Sequence, residues 1–377
     1  MPHKEDSHGG REFTPDQYPR FPDGFPTVEL ETISLAKLLV HQDAAEQERV
    51  FEICKGRGFF YLDLIGCEAG DTIVKGADQL AAVAEDIFKL PLEEKLIYRW
   101  QGGGGSLDGY KIAGGTAADK TGTTRDTAEF FNVGKNEMIL PTDQMKKKWP
   151  DLVHVHKPLF KDYIVTAHGI GMFILGLLAN KLGVDPAEFN IRHRMEEQSG
   201  DHIRLTRGPP RDKEELPEIQ TPSHTDFGTV ARYSITILMN WLGGLQVWSE
   251  SARKAQLLNH EPDVPGEWLW VRPKKGCARL LINVTDLVLE VVNLGDAAVK
   301  FTNGLLCAGR HRVIPAPGAQ GKYPRYSVVY FVRPEDKCIM KQLRGPGIPD
   351  GPEEERPINA GDWISQQAAG LGARFDN

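Results

Sequence analysis

Two histidines and one aspartate are the side chains of this 377-residue sequence best suited to bind a metal ion. His224-Thr225-Asp226 places a histidine and a carboxylate two positions apart, so in an extended segment both side chains project from the same face. Together with His311 they form a set that leaves coordination positions open, as iron(II) needs when it binds a co-substrate and dioxygen together. A structural zinc site would be closed by four ligands and would often use cysteine. We therefore predict a catalytic metal site at His224, Asp226 and His311.

The His-x-Asp pattern is not specific by itself, because the sequence contains it twice. His41-Gln42-Asp43 lies in a polar segment just before a predicted helix, and we expect it on the solvated surface. The copy at His224 has a different downstream context, because a β-rich run, a Gly-Gly turn, His311 and an Arg-x-Ser motif come after it in the chain. The order of these motifs, rather than the pattern alone, supports the metal assignment.

Arg325 and Ser327 form a second group with a chemical role. They open the apolar run that continues from Val328 to Val332, and two alternate positions of a strand share a face. A guanidinium binds a carboxylate through two parallel hydrogen bonds, and a neighbouring hydroxyl adds another. We predict that this pair binds the distal carboxylate of a 2-oxoacid that chelates the metal.

The segments that must position these residues are rich in β-structure. From Asp201 onward, short strand-like runs alternate with Gly and Pro, which is typical of a sandwich or barrel. We expect this half alone to form the rigid β-structure that holds the site. The predicted strands of this half are Ile235–Met239, Gly244–Trp248, Trp268–Val271, Val291–Leu294 and Tyr326–Val332.

Helical elements are predicted before this β-rich half. Apolar spacing predicts helices over Ala44–Lys55 and Thr72–Lys89, with the strand Gly58–Leu62 between them. A further apolar segment, Ile164–Leu182, has an uncharged part shorter than a bilayer requires, so we expect a buried helix.

Composition and charge disfavour several classes of function. The chain is 40% hydrophobic and 26% charged, as globular proteins are, and its net charge of −7 provides no basic field for nucleic acid or an anionic membrane. Its five cysteines include no C-x-x-C pair, and the N-terminus lacks the features of a secretory signal. We expect a cytoplasmic protein that acts on a small molecule and binds neither nucleic acid nor membrane. The sequence does not indicate the oligomeric state.

The segment from His202 to Lys337 resembles the iron(II)- and 2-oxoglutarate-dependent dioxygenase superfamily, in its isopenicillin-N-synthase-like branch. The region from Pro26 to Pro91 is similar to the amino-terminal region of that branch, so the resemblance covers most of the chain. The motifs that appear in family order are Pro222–Gly228, the Gly-Gly-Leu-Gln-Val turn, Asn293–Asp296, Phe301–Gly304, His311–Val313 and Pro324–Ser327.

The resemblance implies a mainly β fold with flanking helices, built on a double-stranded β-helix, or jelly roll. It implies iron at His224, Asp226 and His311, 2-oxoglutarate at Arg325 and Ser327, and no catalytic residue beyond the metal site. The family's chemistry consumes dioxygen, converts 2-oxoglutarate to succinate and CO2, and hydroxylates, desaturates or cyclises a small organic substrate; we expect a specialised metabolite. The implied regions are a flexible arm at 1–25, an N-terminal helical and strand region at 26–150, long supporting helices at 151–200, the jelly-roll core at 201–340 and a C-terminal extension at 341–377.

The sequence departs from the family pattern at three places. Many relatives carry an Asn and a Tyr before a Pro-Pro pair that help hold 2-oxoglutarate, but the run Arg204–Pro210 lacks the Tyr. Arg207 either contacts the cosubstrate or substrate in its place or faces solvent. Residues 229–233 and 279–290 are additional, either as genuine insertions or as gene-model errors. Because the run 281–286 resembles 291–296, only one can fill the strand, and we expect the second to do so.

Three alternative functions stay open at this point. An oxidase of the same family that does not use 2-oxoglutarate could bind a substrate carboxylate with its Arg-x-Ser motif. A zinc or manganese hydrolase could use the same three ligands, and release of succinate would exclude it. A catalytically degenerate binding protein would keep the fold without the chemistry.

Overall fold

The structure, a computed structural model, describes residues 18–100, 107–119, 121–185, 187–211, 219–226, 235–251, 264–273, 289–351, 358–363 and 366. The strands within these residues are β1 (Thr32–Ser34), β2 (Phe59–Asp63), β3 (Gly109–Lys111), β4 (Glu129–Gly134), β5 (His202–Gly208), β6 (Thr221–His224), β7 (Ile235–Asn240), β8 (Leu245–Trp248), β9 (Trp268–Trp270), β10 (Leu289–Leu294), β11 (His311–Val313) and β12 (Arg325–Val332).

The helices begin and end where the local sequence provides a reason. Asp43 caps the second helix by accepting hydrogen bonds from the backbone N–H groups of Ala45 and Glu46. The third helix ends just before Pro91, and the seventh begins with a proline in its first turn. The helices are α1 (Leu35–Leu39), α2 (Ala44–Gly56), α3 (Glu68–Lys89), α4 (Leu92–Ile97), α5 (Lys135–Ile139), α6 (Asp151–Val155), α7 (Lys157–Lys181), α8 (Ala187–Asn190) and α9 (Asp296–Phe301).

The strands form one large and one small sheet. The large sheet has the order β1-β2-β10-β7-β12-β5-β4-β3, and the small sheet has the order β6-β11-β8-β9. Every pairing is antiparallel except that of β1 with β2. Strands β1 to β4 precede residue 150 and belong to the large sheet. The expectation that the segment after Asp201 alone forms the rigid β-structure is therefore wrong. The earlier strands pair with both edges of the later ones and so satisfy backbone groups that would otherwise be exposed.

The two sheets pack face to face. One apolar cluster joins Phe59 and Tyr61 of β2 and Val291 of β10 in the large sheet to Leu245 and Val247 of β8 in the small sheet. The side chains of a strand alternate between two faces, so each strand of the large sheet has one face toward the small sheet and one toward the helices. We call the face toward the small sheet the interior face and the other the helix face.

Helices α3 and α7 cover the helix face. Both contribute to the main hydrophobic core, together with Tyr326, Val328 and Tyr330 of β12. Helix α7 is long and apolar enough to cross a membrane by length and composition, but 61% of its most apolar window is buried inside the protein. Its packing is that of a core helix, as the sequence predicts.

Each helix and strand that was predicted from the sequence is present in the structure. The predicted helices correspond to α2, α3 and α7, and the predicted strands correspond to β2, β7, β8, β9, β10 and β12, with ends that differ by a few residues. The expectation that the second of the two similar runs fills the strand is confirmed, because β10 begins at Leu289 and pairs with both β2 and β7. Of the two additional segments, residues 229–233 and 279–288 lie outside the described residues, while the last two positions of the second segment, 289 and 290, begin β10.

Candidate metal centre and cosubstrate site

The structure brings the three predicted metal ligands together. Strand β6 ends at His224, and His311 at the start of β11 lies directly opposite it. Asp226 follows two residues after His224, and its Oδ1 lies 3.5 Å from Nε2 of His224 and 3.6 Å from Nε2 of His311. The ligand atoms of all three residues lie within 4.8 Å of one another. This is the predicted arrangement of two imidazoles and one carboxylate around a single point.

The two imidazole rings are held with their Nε2 atoms toward Asp226. His224 Nδ1 lies 2.7 Å from the carbonyl oxygen of Pro222, and His311 Nδ1 lies 3.1 Å from that of Gly309. A carbonyl oxygen only accepts hydrogen bonds, so each Nδ1 carries the proton and each Nε2 is left with a lone pair for a metal. The donor set therefore fits a divalent transition metal.

The carboxylate of Asp226 is also fixed in orientation. Its Oδ2 accepts hydrogen bonds from Thr236 Oγ1 at 2.7 Å and from Asn293 Nδ2 at 2.6 Å, which leaves Oδ1 toward the imidazoles. Burial alone would raise the pKa of Asp226, but the neighbouring imidazoles of His311 and His224 and the hydrogen bond from Asn293 hold it well below its usual range. Burial and the neighbouring His224 lower the pKa of His311 to about 4, so its ring is neutral at neutral pH, as metal binding requires.

Arg325 lies on the interior face with a guanidinium nitrogen that lacks a partner. Its Nε donates to the carbonyl oxygen of Gly243 at 2.9 Å, but the buried Nη2 has no hydrogen-bond partner among the described residues. A buried donor of this kind needs an acceptor, and a ligand carboxylate would supply one. Ser327 is buried two positions later on the same face, opposite Asn240 of β7.

The backbone turn before β8 is shaped to admit this arginine. Gly244 has a φ of +123°, and a Cβ at this position would lie 2.9 Å from Cδ of Arg325. The turn is held from outside, because Gly243 N–H donates to Oε1 of the buried Gln320 at 2.9 Å. The Gly-Gly motif therefore positions the Arg325 side chain.

Gln220 fills the space beside Gly208. Gly208 lies opposite Arg325 in the β5–β12 pairing, and a Cβ at Gly208 would be 2.2 Å from Gln220 Oε1. The Gln220 side chain is buried and donates through Nε2 to the carbonyl oxygen of Pro209 at 3.1 Å. Sequence reasoning did not find this residue, because it lies twelve positions from Gly208 and only the fold brings the two together.

Arg207, named from sequence as a possible cosubstrate or substrate contact, lies on the helix face instead. It is opposite Glu129 on one side and Tyr326 on the other, and its Nη1 donates to Glu129 Oε1 at 2.9 Å. The arginine of β5 on the interior face is Arg204. Sequence reasoning quoted this residue without assigning it a role, because the face on which it lies follows from the register between β5 and β12.

The second His-x-Asp motif has the surface position expected for it. His41 is exposed, and Asp43 is occupied as the N-cap of α2. It shares no ligand geometry with the site at His224.

Fold and site together define a class of protein: two facing β-sheets with two histidines and a carboxylate that could hold one divalent metal, and a buried arginine with an unused donor among the described residues. The comparisons with known proteins agree. The family described as non-haem dioxygenase in morphine synthesis, N-terminal, matches residues 30–152. A 2-oxoglutarate-dependent dioxygenase of Aspergillus fumigatus is 31% identical over 87% of this chain and 81% of its own length, and one of Gibberella zeae is 28% identical over 91% and 88%.

Solved structures share the fold. A full-length Neurospora crassa protein in complex with alpha-KG and thymine aligns with a TM-score of 0.67 at 22% identity, over 92% of this chain and 98% of that one. JOX2 in complex with 2OG, Fe and JA aligns with a TM-score of 0.62 at 19% identity, over 99% and 93%. The chain belongs to the 2-oxoglutarate-dependent dioxygenase family of oxidoreductases.

Proposed function

We propose that this protein is an Fe(II)- and 2-oxoglutarate-dependent dioxygenase that hydroxylates or desaturates a small organic substrate and releases succinate and CO2. The observation that carries the proposal is the pairing of two features: three convergent ligand atoms on His224, Asp226 and His311, and a buried Nη2 of Arg325, on the interior face, that has no hydrogen-bond partner among the described residues. In this proposal the two facing sheets are the two halves of a double-stranded β-helix. The fungal dioxygenases similar to this chain favour specialised metabolism as its setting.

Each residue of the site has a defined task in this reaction. Iron, when bound, supplies the oxidising chemistry with dioxygen and 2-oxoglutarate. His224 and His311 would bind it through Nε2, because their Nδ1 protons are held by backbone carbonyls. Asp226 would bind it through Oδ1.

The cosubstrate is held by groups on β12 and beside β6. Arg325 and Ser327 would bind the distal carboxylate of 2-oxoglutarate, with Gln220 closing the space above Gly208. The hydrogen bond from Arg325 Nε to the Gly243 carbonyl fixes the guanidinium before the ligand arrives, which reduces the entropic cost of binding. Gln220 would therefore act as a positioning group where relatives use a tyrosine.

Anaerobic titration of the purified protein with Fe(II) and 2-oxoglutarate tests this function. The expected result is a weak visible charge-transfer band that requires both additions, and release of succinate once air is admitted. His311→Ala should abolish the band. His41→Ala removes the exposed histidine of the other His-x-Asp motif and should leave the band unchanged.

Other outcomes would favour the alternatives. Substrate oxidation without succinate would indicate an oxidase that does not use 2-oxoglutarate, and hydrolysis supported equally by zinc would indicate a hydrolase. A folded protein that binds iron but gives no band with 2-oxoglutarate would be a binding protein. A cytoplasmic location is proposed on the free thiols Cys54, Cys67, Cys307 and Cys338 among the described residues.

A further inference from the structure

Cations and aromatic rings alternate on the interior face beside the metal ligands. The Arg204 guanidinium lies 4.2 Å from the ring centroid of Phe130 and 5.0 Å from that of Phe331. The Arg333 guanidinium lies 5.3 Å from the Phe331 centroid. Arg204 is thus enclosed between two phenyl rings, and a second arginine follows on Phe331.

Neither arginine of this stack has an ion-pair partner among the described residues. The Arg204 guanidinium makes one hydrogen bond there, from Nε to Asn132 Oδ1 at 2.9 Å, which leaves its two terminal NH2 groups without acceptors. Nε and Nη1 of the buried Arg333 have no hydrogen-bond partner in that part of the chain. Burial and the charge of Arg333 lower the pKa of Arg204, and burial likewise lowers that of Arg333.

Lys111, next to this stack, is a buried cation that does have an ion-pair partner. Lys111 lies over Phe130, the first ring of the stack, and is paired with the buried Asp126. It also donates to the carbonyl oxygen of Ala128 at 2.8 Å. Buried charges in proteins are normally paired in this way, so two unpaired guanidinium groups indicate a site that an anion completes.

The arginine pair is separate from the cosubstrate site. Arg333 directly follows β12 and lies eight residues beyond Arg325, which at roughly 3.3 Å per residue is about 26 Å between Cα atoms. Arg204 is opposite Val329, between the two ends. A 2-oxoglutarate carboxylate bound at Arg325 is therefore too far from Arg333 to pair with it.

The pair does lie next to the metal ligands. Phe331 is opposite Thr236, the residue that donates to Asp226. The charge of Asp226 acts on both Arg204 and Arg333. A molecule held at the pair would therefore lie beside the metal, on the side away from the cosubstrate carboxylate.

We infer that the substrate of this enzyme carries a carboxylate, which Arg204 and Arg333 bind, and an organic body that extends from them toward the metal ligands. The inference rests on the proposed function, since it names the substrate class of that site. The two free NH2 groups of Arg204 lie in one plane between the rings, and a planar carboxylate matches this fork better than a compact point charge does. Asn132 is a positioning residue, because it fixes Nε of Arg204.

Binding of small acids to the full-length protein tests the inference. The protein is loaded anaerobically with Fe(II) and excess 2-oxoglutarate, so that the site at Arg325 is filled. It is then titrated with phenylacetate, cyclohexanecarboxylate and octanoate, each beside its primary amide, and with phenyl phosphate. The readouts are the change in the visible band and the shift in melting temperature.

The expected result is that at least one acid binds about ten times more tightly than its amide. Arg204→Gln and Arg333→Gln should each weaken that acid about 10- to 100-fold, as loss of one charge-assisted hydrogen bond predicts, without weakening the amide. Arg204→Lys keeps the charge but not the fork, and should recover only part of the affinity. Arg207→Gln is the matched control, because it removes the same charge from the helix face of the same strand, and it should leave the affinity unchanged.

Three results would overturn the inference: no acid binds better than its amide, phenyl phosphate binds more tightly than every acid, or Arg207→Gln weakens binding as much as Arg204→Gln. Failure of the proposed function would look different, because the unsubstituted protein would give no visible band with 2-oxoglutarate alone. Even then, the melting temperature still compares acid with amide. The Arg204→Gln protein should keep the band with 2-oxoglutarate alone, which shows that the variant is folded.

Discussion

Asn293 offers the sharpest test of how the metal ligands are held. Its Nδ2 donates to Asp226 Oδ2 at 2.6 Å, and the only other side-chain donor to that oxygen among the described residues is Thr236 Oγ1 at 2.7 Å. Asn293→Ala removes one of these two donors, so the carboxylate can rotate away from the position in which Oδ1 faces the imidazoles. We predict weaker metal binding with the three ligands themselves unchanged.

The size of the expected loss in metal affinity depends on the charge of the hydrogen-bond acceptor, Asp226. A hydrogen bond to an ionised group contributes about 1.5 to 3 kcal/mol, and the pKa of Asp226 is held low enough that the carboxylate is ionised at neutral pH. Loss of such an outer contact typically weakens metal binding about 10- to 100-fold. Thr236→Val should have an effect of the same order. Because both donors share one acceptor, the effect of the double variant should be less than the product of the two single effects.

The assay is titration with Mn(II), followed by the loss of the free-ion paramagnetic resonance signal, and then with Fe(II) under anaerobic conditions. Asn136→Ala is a matched control, since it removes an amide whose hydrogen bonds join Glu197 and Ser199 rather than a metal ligand. If Asn293→Ala binds Mn(II) as tightly as the unsubstituted protein while remaining folded, the idea that Oδ2 contacts orient Asp226 is refuted.

Three further predictions concern the cosubstrate site and the core. Arg325→Lys should raise the KM for 2-oxoglutarate by about 100-fold with a smaller change in kcat, because an ammonium group cannot form the two parallel hydrogen bonds. Steady-state succinate release measures both constants, and an unchanged KM would contradict the prediction. Gly208→Ala should also raise that KM, because the new Cβ displaces Gln220, whereas an unaffected KM would show that the Gln220 amide is not needed there. Burial alone would raise the pKa of Asp201, but the charge of Lys135 and the hydrogen bond with His168 hold it below its usual range. Its carboxylate therefore stabilises the fold above the unfolded-state pKa of about 3.9, and this contribution is lost as the pH falls through the lower folded value. Chemical unfolding should therefore show Asp201→Asn to be less stable than the unsubstituted protein at pH 7, with a gap that narrows below about pH 4; a constant gap would contradict this.

The metal ligands and the Arg-x-Ser pair could be predicted from sequence because each depends on a short-range rule. Residues two apart in an extended segment share a face, and this holds for Arg325 and Ser327, which pair with Gly208 and Thr206 on one side of β5. The order of motifs then supplied His311, which local spacing alone could not connect to His224.

The groups that complete the site could not be predicted in this way. Gln220 and Gly208 meet because β5 and the segment before β6 approach each other in space, and Arg204 acquires its two phenyl neighbours from β4 and β12. Contacts of this kind depend on the pairing register between distant strands, which no single segment specifies. The position of Arg207 could not be predicted for the same reason, because the sequence alone does not show that its side chain lies on the helix face.

The pairing of β6 with β11 has a consequence for how the protein keeps its metal. β6 is four residues long, lies at the edge of the small sheet, and has its pairing interrupted by an irregularity between His311 and Val313. A metal bound to His224 and His311 would bridge these two strands just where their backbone ladder is weakest, and would act as a cross-link between them. Dissociation of the ion would then be limited by how often β6 separates from β11. The lifetime of the metal-loaded enzyme would therefore depend on the stability of this strand pair as well as on the three ligand side chains.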